Sequence, residues 1–358
     1  MTTLPRYLRR RVLGAGFGAW AVLTALMQTL DLLNATGDIL KRGLGLAGVM
    51  HYALLSLPSE LLMALPLAVL IGTLLAFYGL ARTREGLAIR ASGISLRRTV
   101  LWLLPVAALF AVLQFGLADR IVPPSQTALA QWWNATRPPD TTPAETGPRW
   151  VRTHNALISI GGISDDARHL THITTYRRDA VGLLTARWTA NAAQWKNHGW
   201  ELTSRTALDL QADHLQHRKE PSATWHDADF APRDLLRLDV SQPHLSTATL
   251  LGVIAGRDVS ALPLSYYQMA LWSLFVDPLA AFVFLLLTIP ACRTSLRAEG
   301  AGTVLVWALA LGLAYVLCNG LLASMGSAGR LQPAFAALLP LALFLGVGTI
   351  QLIRADRL

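Results

Sequence analysis

Six apolar runs set the terms for this chain. Val12–Ala35 carries one charge, Asp31. Tyr52–Ala81 carries Glu60 together with Pro58 and Pro66, and Thr99–Ala118 carries none. Tyr266–Cys292, Ala301–Ala323 and Pro333–Ile353 follow after a long gap. Each reaches the roughly 20 residues that cross a hydrocarbon core of about 30 Å. With no water in that core, backbone groups must be satisfied within the segment, so such runs are expected as helices. Composition agrees: 53% of the 358 residues are hydrophobic and 15% charged, against about 25% charged in soluble domains. A basic chain suggests nucleic-acid binding, but that cannot account for these runs. Arg9–Arg11 before the first run imitates a signal peptide, yet the run is too long for one, so an uncleaved first span is expected.

Charge is unevenly distributed. Of 31 basic and 22 acidic residues, 15 and 15 fall between Asp119 and Leu262. The remainder holds 16 and 7, and so carries the whole net charge of +9. Six crossings put thirteen arginines on one side: Arg6, Arg9, Arg10, Arg11, Arg82, Arg84, Arg90, Arg97, Arg98, Arg293, Arg297, Arg354 and Arg357. The opposite loops near the membrane hold only Lys41, Arg42 and Arg330. The positive-inside rule then makes both termini cytoplasmic and the neutral middle segment extracytoplasmic, which in a bacterium is periplasmic.

The middle segment opens with a Pro- and Thr-rich connector, Val122–Pro148, in which Trp132 and Trp133 suit a membrane interface. Strand character follows over Trp150–Ile160, Leu170–Tyr176, Leu183–Thr189 and Trp200–Leu210, with a hairpin across Asn197-His198-Gly199. Short strands without a long helical pattern predict a β-sandwich or jelly roll, with Leu157 and Ile173 among the inward-facing positions. The fold class is thus an α-helical integral membrane protein with six transmembrane helices and an inserted periplasmic all-β domain. Its boundaries are expected at 1–121 for spans one to three, 122–262 for the β domain, and 263–358 for spans four to six.

Candidate chemistry is sparse. GxGxxG, Walker A and HExxH motifs are absent, so the nucleotide machinery of a pump is not on this chain, and no cofactor is expected. Cys292 and Cys318 are too few for a disulfide scaffold or a metal quartet. His154, His169, His172, His214 and His217 sit in charged, loop-like sequence and read as solvated rather than as ligands. Ser159, Asp165 and His169 lack the strained turn of a nucleophile.

From the second span onward the residues resemble a known family. Leu57-Pro58, Leu65-Pro66, the Leu/Gly-rich stretch to Leu80-Ala81, Arg84-Glu85 and Arg90-Ala91-Ser92-Gly93 resemble the LptF/LptG lipopolysaccharide-export permeases, and the likeness covers nearly the whole chain. Ala91-Ser92-Gly93, Gly161-Gly162-Ile163, Leu271-Trp272-Ser273 and Asp277-Pro278-Leu279 are closer to the LptG branch. The resemblance implies a jelly-roll β domain and a permease subunit that is not itself an enzyme. It implies an LptF-like second permease subunit, a cytoplasmic ABC ATPase dimer (LptB-like) and a single-span periplasmic jelly-roll partner (LptC-like). It implies extraction of lipopolysaccharide from the inner membrane towards the outer membrane.

Two sets of site residues follow. On 85–98 a helix is expected, with Leu87, Ala91 and Ile94 on one face and Glu85 in its first turn. The resemblance makes it the coupling helix that docks on the ATPase. A phosphorylated headgroup calls for basic groups, which nominates Lys41, Arg42 and Arg330, with Asp31 and Asn34 beside them. Family members often flank the matching aspartate with lysines; here Gln28 and Asn34 stand instead, and Gln131 and Asn134 replace arginines after the third span. Asp31 lies near the outer end of its span, within expected reach of Lys41 or of lipid. Two other classes stay open: an extracytoplasmic sensor that relays signals through its helices, weakened by cytoplasmic segments of about 17 residues, and a membrane-embedded transferase, for which only His51 and Glu60 come close. A proton-coupled transporter needs paired intramembrane ionisable groups, and Asp31, Glu60 and Asp277 are scattered.

Overall fold

The structure is a computed structural model that describes residues 3–82, 85, 94–136, 148–153, 156–164, 166–178, 183–196, 199–209, 216–225, 230–232, 235, 244–258, 260–288 and 301–357. Six helical stretches among these are long and apolar enough to cross a membrane: Leu4–Lys41, Gly45–Leu80, Leu96–Ala135, Leu264–Thr288, Val306–Ser327 and Pro333–Arg354. The chain divides into two compact units, Met1–Val122 with Gln268–Leu358, and Pro123–Tyr267.

In the helical unit, α1 (Thr3–Lys41) and α2 (Gly45–Arg82) form a hairpin. Its turn depends on Gly43, which adopts φ +75, a conformation that costs other residues free energy. The two helices then approach to backbone contact: a Cβ on Gly72 would collide with the main chain of Gly16. Small residues at such crossings let apolar helices gain dispersion contacts that lipid tails alone do not offer. Between Pro58 and Pro66 of α2, the Trp20 indole donates to the carbonyl of Leu61 at 2.8 Å. The third span begins at α3 (Leu96–Gly116), capped by Ser95, whose hydroxyl accepts from the Arg98 amide. α6 (Leu264–Val276), a 3-10 turn (Asp277–Leu279) and α7 (Ala280–Thr288) make the fourth span; α8 (Ala301–Ser327) and α9 (Pro333–Arg357) complete the set. Leu65, Leu70, Phe77, Leu103, Phe110 and Phe284 are buried in their common core.

The stretch after α3 departs from the expected connector. A π-turn at Leu117–Ile121 passes into α4, Val122–Ala135. Pro123 and Pro124 suggested irregular chain because neither can donate a helical hydrogen bond. The widened turn, in which the Val122 amide bonds Leu117 five residues back, lets the helix continue around them.

In the second unit, six strands form one antiparallel sheet in sequence order: β1 Arg149–Arg152, β2 Ala156–Ile163, β3 His169–Arg178, β4 Leu184–Lys196, β5 Gly199–Asp209 and β6 Gln216–Thr224. The expected single strand over Trp150–Ile160 is instead two, turned at Thr153, whose amide bonds Ala156 at 2.9 Å. The expected hairpin is present, with Trp195 opposite Trp200 and Lys196 opposite Gly199. Ile173 is buried and lies opposite Ile160, as expected; Leu157 belongs to the other face, opposite Tyr176 and adjacent to buried Ile158. The period-two pattern slips along one row. His172 and Ser204 have φ of 51 and 55, and the register places Gly161, His172, Asn191 and Ser204 side by side across four strands. On either side of that row the buried residues are Leu170 and Ile173 in β3, and Ala190 and Ala193 in β4. The pairing register is the same on both sides of the row, so the inward face changes parity there without an unmatched residue. The core ends in an aromatic cluster: Trp188 against Trp225 at 4.9 Å, and Trp225 against Phe230 at 5.3 Å. Buried Trp200 donates to the Phe230 carbonyl at 2.9 Å. Beyond the sheet, Ser260 pairs with Arg152 of β1 through two backbone bonds of 2.7 and 3.1 Å, and α5 (Thr247–Ile254) precedes it.

Candidate functional site

Asp31, Asn34, Lys41 and Arg42 lie towards the turn end of the α1–α2 hairpin, Glu85 lies beyond its other end, and Arg330 lies apart in sequence between α8 and α9. At the turn end, one stripe of α1 is polar: Thr24, Gln28 and Asp31, spaced four and three apart and so on one face. Gln28 donates to Ser56 at 2.9 Å and to the Ala53 carbonyl at 3.3 Å. Tyr52 donates to Asp31 Oδ1 at 3.2 Å. Thr24 Oγ1, Gln28 Oε1 and Asp31 Oδ2 are buried and have no hydrogen-bond partner among the described residues. A carboxylate in an apolar helix is costly unless it faces a partner or water, and here the partner is a tyrosine on α2.

Lys41 is therefore not the partner of Asp31. The two are ten residues apart on an unbroken helix, about 15 Å along its axis, and Lys41 instead pairs with Asp38 at 3.2 Å. Both members of that pair are exposed, and such pairs contribute little. Asn34 is exposed, Arg42 half-buried at the turn, and Arg330 exposed in the turn between α8 and α9. Tyr52 and Ser56 were not anticipated. The signal that could have found them is their four-residue spacing on the second span, opposite a first-span aspartate.

At the other end, Glu85 is helical and half-buried. Its Oε2 accepts from Tyr7 Oη and from Arg11 Nη1, both at 2.7 Å. The expected continuous helix over 85–98 does not hold at its far end. Ile94 and Ser95 are non-helical, and Ser95 caps α3, a role that Ser fills because its short side chain reaches an unpaired first-turn amide. Leu87 and Ala91 lie outside the described residues. Arg11 was anticipated only as a topogenic charge.

Inside the bundle, Asp277 starts the 3-10 break of the fourth span and accepts from Asn319 of α8. In the β unit, the Ser164–His169 turn is closed locally. Ser164 Oγ and the Arg168 amide donate to Asp166, which holds the Asp166 carboxyl below its ordinary range, mainly through the Ser164 bond. His169 meets Gln194 at 2.9 Å. Asp165 and His214 lie outside the described residues, and among those described no three His, Cys, Asp or Glu side chains converge as metal ligands.

Residues 6–354 match the family described as lipopolysaccharide export system permease LptF/LptG. The lipopolysaccharide export system permease protein LptG of Haemophilus influenzae is 20% identical over 347 residues, 96% of each chain. The protein of the same name from Escherichia coli strain K12 is 22% identical over 346 residues, 93% of this chain and 96% of its own.

Proposed function

The chain belongs to the LptF/LptG family of lipopolysaccharide export permeases, and from that premise we propose how its parts serve transport. It is a permease subunit and not an enzyme; ATP hydrolysis lies with a separate ATPase. The observation that carries the assignment is the combination of a match over residues 6–354 with six membrane-length helices and a separate six-stranded antiparallel sheet.

On this proposal both termini and residues 82–98 face the cytoplasm and the β unit faces the periplasm, as the thirteen clustered arginines favour. The partners are a second permease subunit of the LptF kind, an ABC ATPase dimer and a single-span jelly-roll protein. A stripe of exposed leucines and valine on α1, Val22, Leu26, Leu30 and Leu33, and Leu317 and Leu321 on α8 suit lipid or a partner helix.

Extraction works against roughly 0.8 kcal/mol per buried methylene of each acyl chain, so the headgroup must be gripped while the chains leave the bilayer. Lys41, Arg42 and Arg330 supply charge for its phosphates. Lys41 gives up only a solvent-screened bond to Asp38 in turning to a phosphate. Asn34 offers an amide to the sugar, and Asp31, held by Tyr52, orders the helix pair beneath them. Glu85, with Leu87, Ala91 and Ile94, meets the ATPase on the cytoplasmic side. The inward face of the sheet then receives the lipid.

The test is isolation of the complex in mild detergent followed by reconstitution with lipopolysaccharide. A second permease and an ATPase should co-purify, and ATP should drive lipid release. A chain that purifies without an ATPase, and responds instead to extracytoplasmic ligands, would support the sensor class.

A further inference from the structure

Glu85 is already engaged within the chain, and the manner of its engagement is built rather than incidental. Tyr7 and Arg11 are four apart on α1 and so share a face. Both donate to the same oxygen, Oε2, at 2.7 Å. Arg11 Nη1 also donates to Tyr7 Oη at 2.5 Å, and its guanidinium lies 5.8 Å from the centre of the Tyr7 ring. The path of Arg11 depends on an absent side chain: a Cβ on Gly79 of α2 would come within 2.9 Å of Arg11 Nη2. Three elements therefore cooperate: α1 supplies two donors, α2 supplies the gap, and the segment beyond α2 supplies the carboxylate. The Arg11 and Glu85 side chains are 25% and 37% exposed, so the contact is partly shielded from the solvent that weakens open ion pairs.

We propose that Arg11 and Tyr7 are positioning residues for transport coupling, a latch that ties the Glu85 segment to the first span. This rests on the reading that the Glu85 segment meets the ATPase. Without the latch, nucleotide-driven displacement of a short segment is absorbed where it occurs. With it, the displacement passes to α1, a single helix that runs unbroken to the polar stripe at Gln28 and Asp31. A two-state element biased from one end needs such a rigid connection to act at the other. Two donors converging on one carboxylate oxygen, one of them the charged Arg11 Nη1, fix that oxygen in direction as well as distance.

The experiment uses the full complex in proteoliposomes and reads two quantities, ATPase retained and lipopolysaccharide released per ATP hydrolysed. Arg11→Met should keep the ATPase bound and hydrolysing, while lipid released per ATP falls roughly 2- to 30-fold, the span seen for residues on coupling networks. Gly79→Leu, which displaces Arg11 without changing any charge, should do the same, and Arg11→Lys should recover most of the loss. Tyr7→Phe, which deletes one hydroxyl and leaves the fold intact, should give a smaller loss of the same kind. Unchanged lipid release per ATP in Arg11→Met overturns the latch. Loss of the ATPase from Arg11→Met complexes also overturns it, because Arg11 would then be a docking residue. The underlying coupling reading fails separately, if Glu85→Lys complexes keep the ATPase and transport normally.

Discussion

Asn319 Nδ2 donates to Asp277 Oδ1 at 3.2 Å, joining the 3-10 break in the fourth span to α8. One turn earlier on α8, Tyr315 is buried and edge-packed against Phe284 and Phe344 at 5.4 and 5.5 Å. Asn319→Leu removes the donor and leaves a carboxylate in apolar surroundings. It should lower unfolding stability in micelles by about 0.6–2 kcal/mol, the scale of interhelical hydrogen bonds in membranes. Asp277→Asn keeps a bonding partner and sheds the charge, so it should cost less. Equal losses for the two variants would mean the pair is not what holds the break.

The crossing at Gly72 makes a sharper demand. Gly72→Ala drives a methyl group into the Gly16 backbone, and overpacking of this kind costs about 1–3 kcal/mol. Gly18 has nothing within 4 Å of its would-be Cβ, so Gly18→Ala should be neutral or slightly stabilising through helix propensity. Thermal unfolding of the two variants in the same detergent separates close approach from a general effect of adding a methyl group.

In the β unit, Trp200 combines full burial with a bond to the Phe230 carbonyl. Trp200→Phe keeps an aromatic ring and strands that carbonyl, at a cost of about 1–3 kcal/mol. Trp200→Ala also opens a cavity and should cost about 3–5 kcal/mol. Limited proteolysis should show faster cleavage between β5 and α5 in that order, with the helical unit unaffected.

The spans were legible because twenty apolar residues in a row have few other fates. The β unit was legible in kind but not in detail. Ala156–Ile160 carries Leu157 on one parity and Ile158 and Ile160 on the other, so periodicity could not choose the inward face. Gln216–Thr224 shows no apolar alternation, yet pairs as β6 along β5. The row through His172 and Ser204 breaks alternation in neighbouring strands at once, which no single-strand pattern reveals. At the site, Asp31 was visible as a charge in a span, but its partner Tyr52 lies across a helical hairpin. The Arg11–Glu85 pair joins residues 74 apart. Its chemistry stood in the sequence as two ordinary charges, and only the packing of α1 against α2 brings them together.

On the proposed function, lipopolysaccharide leaves the helical unit and enters the inward face of the sheet when ATP is hydrolysed. Photo-crosslinking in proteoliposomes containing the full complex tests it most directly. With a photoreactive residue at Ile158 or Ile173, crosslinks to lipopolysaccharide should form with ATP and be absent without it. Probes at Leu157 and Tyr176, on the opposite face, should give none. Crosslinks that ignore ATP, or that appear equally on both faces, would contradict the account.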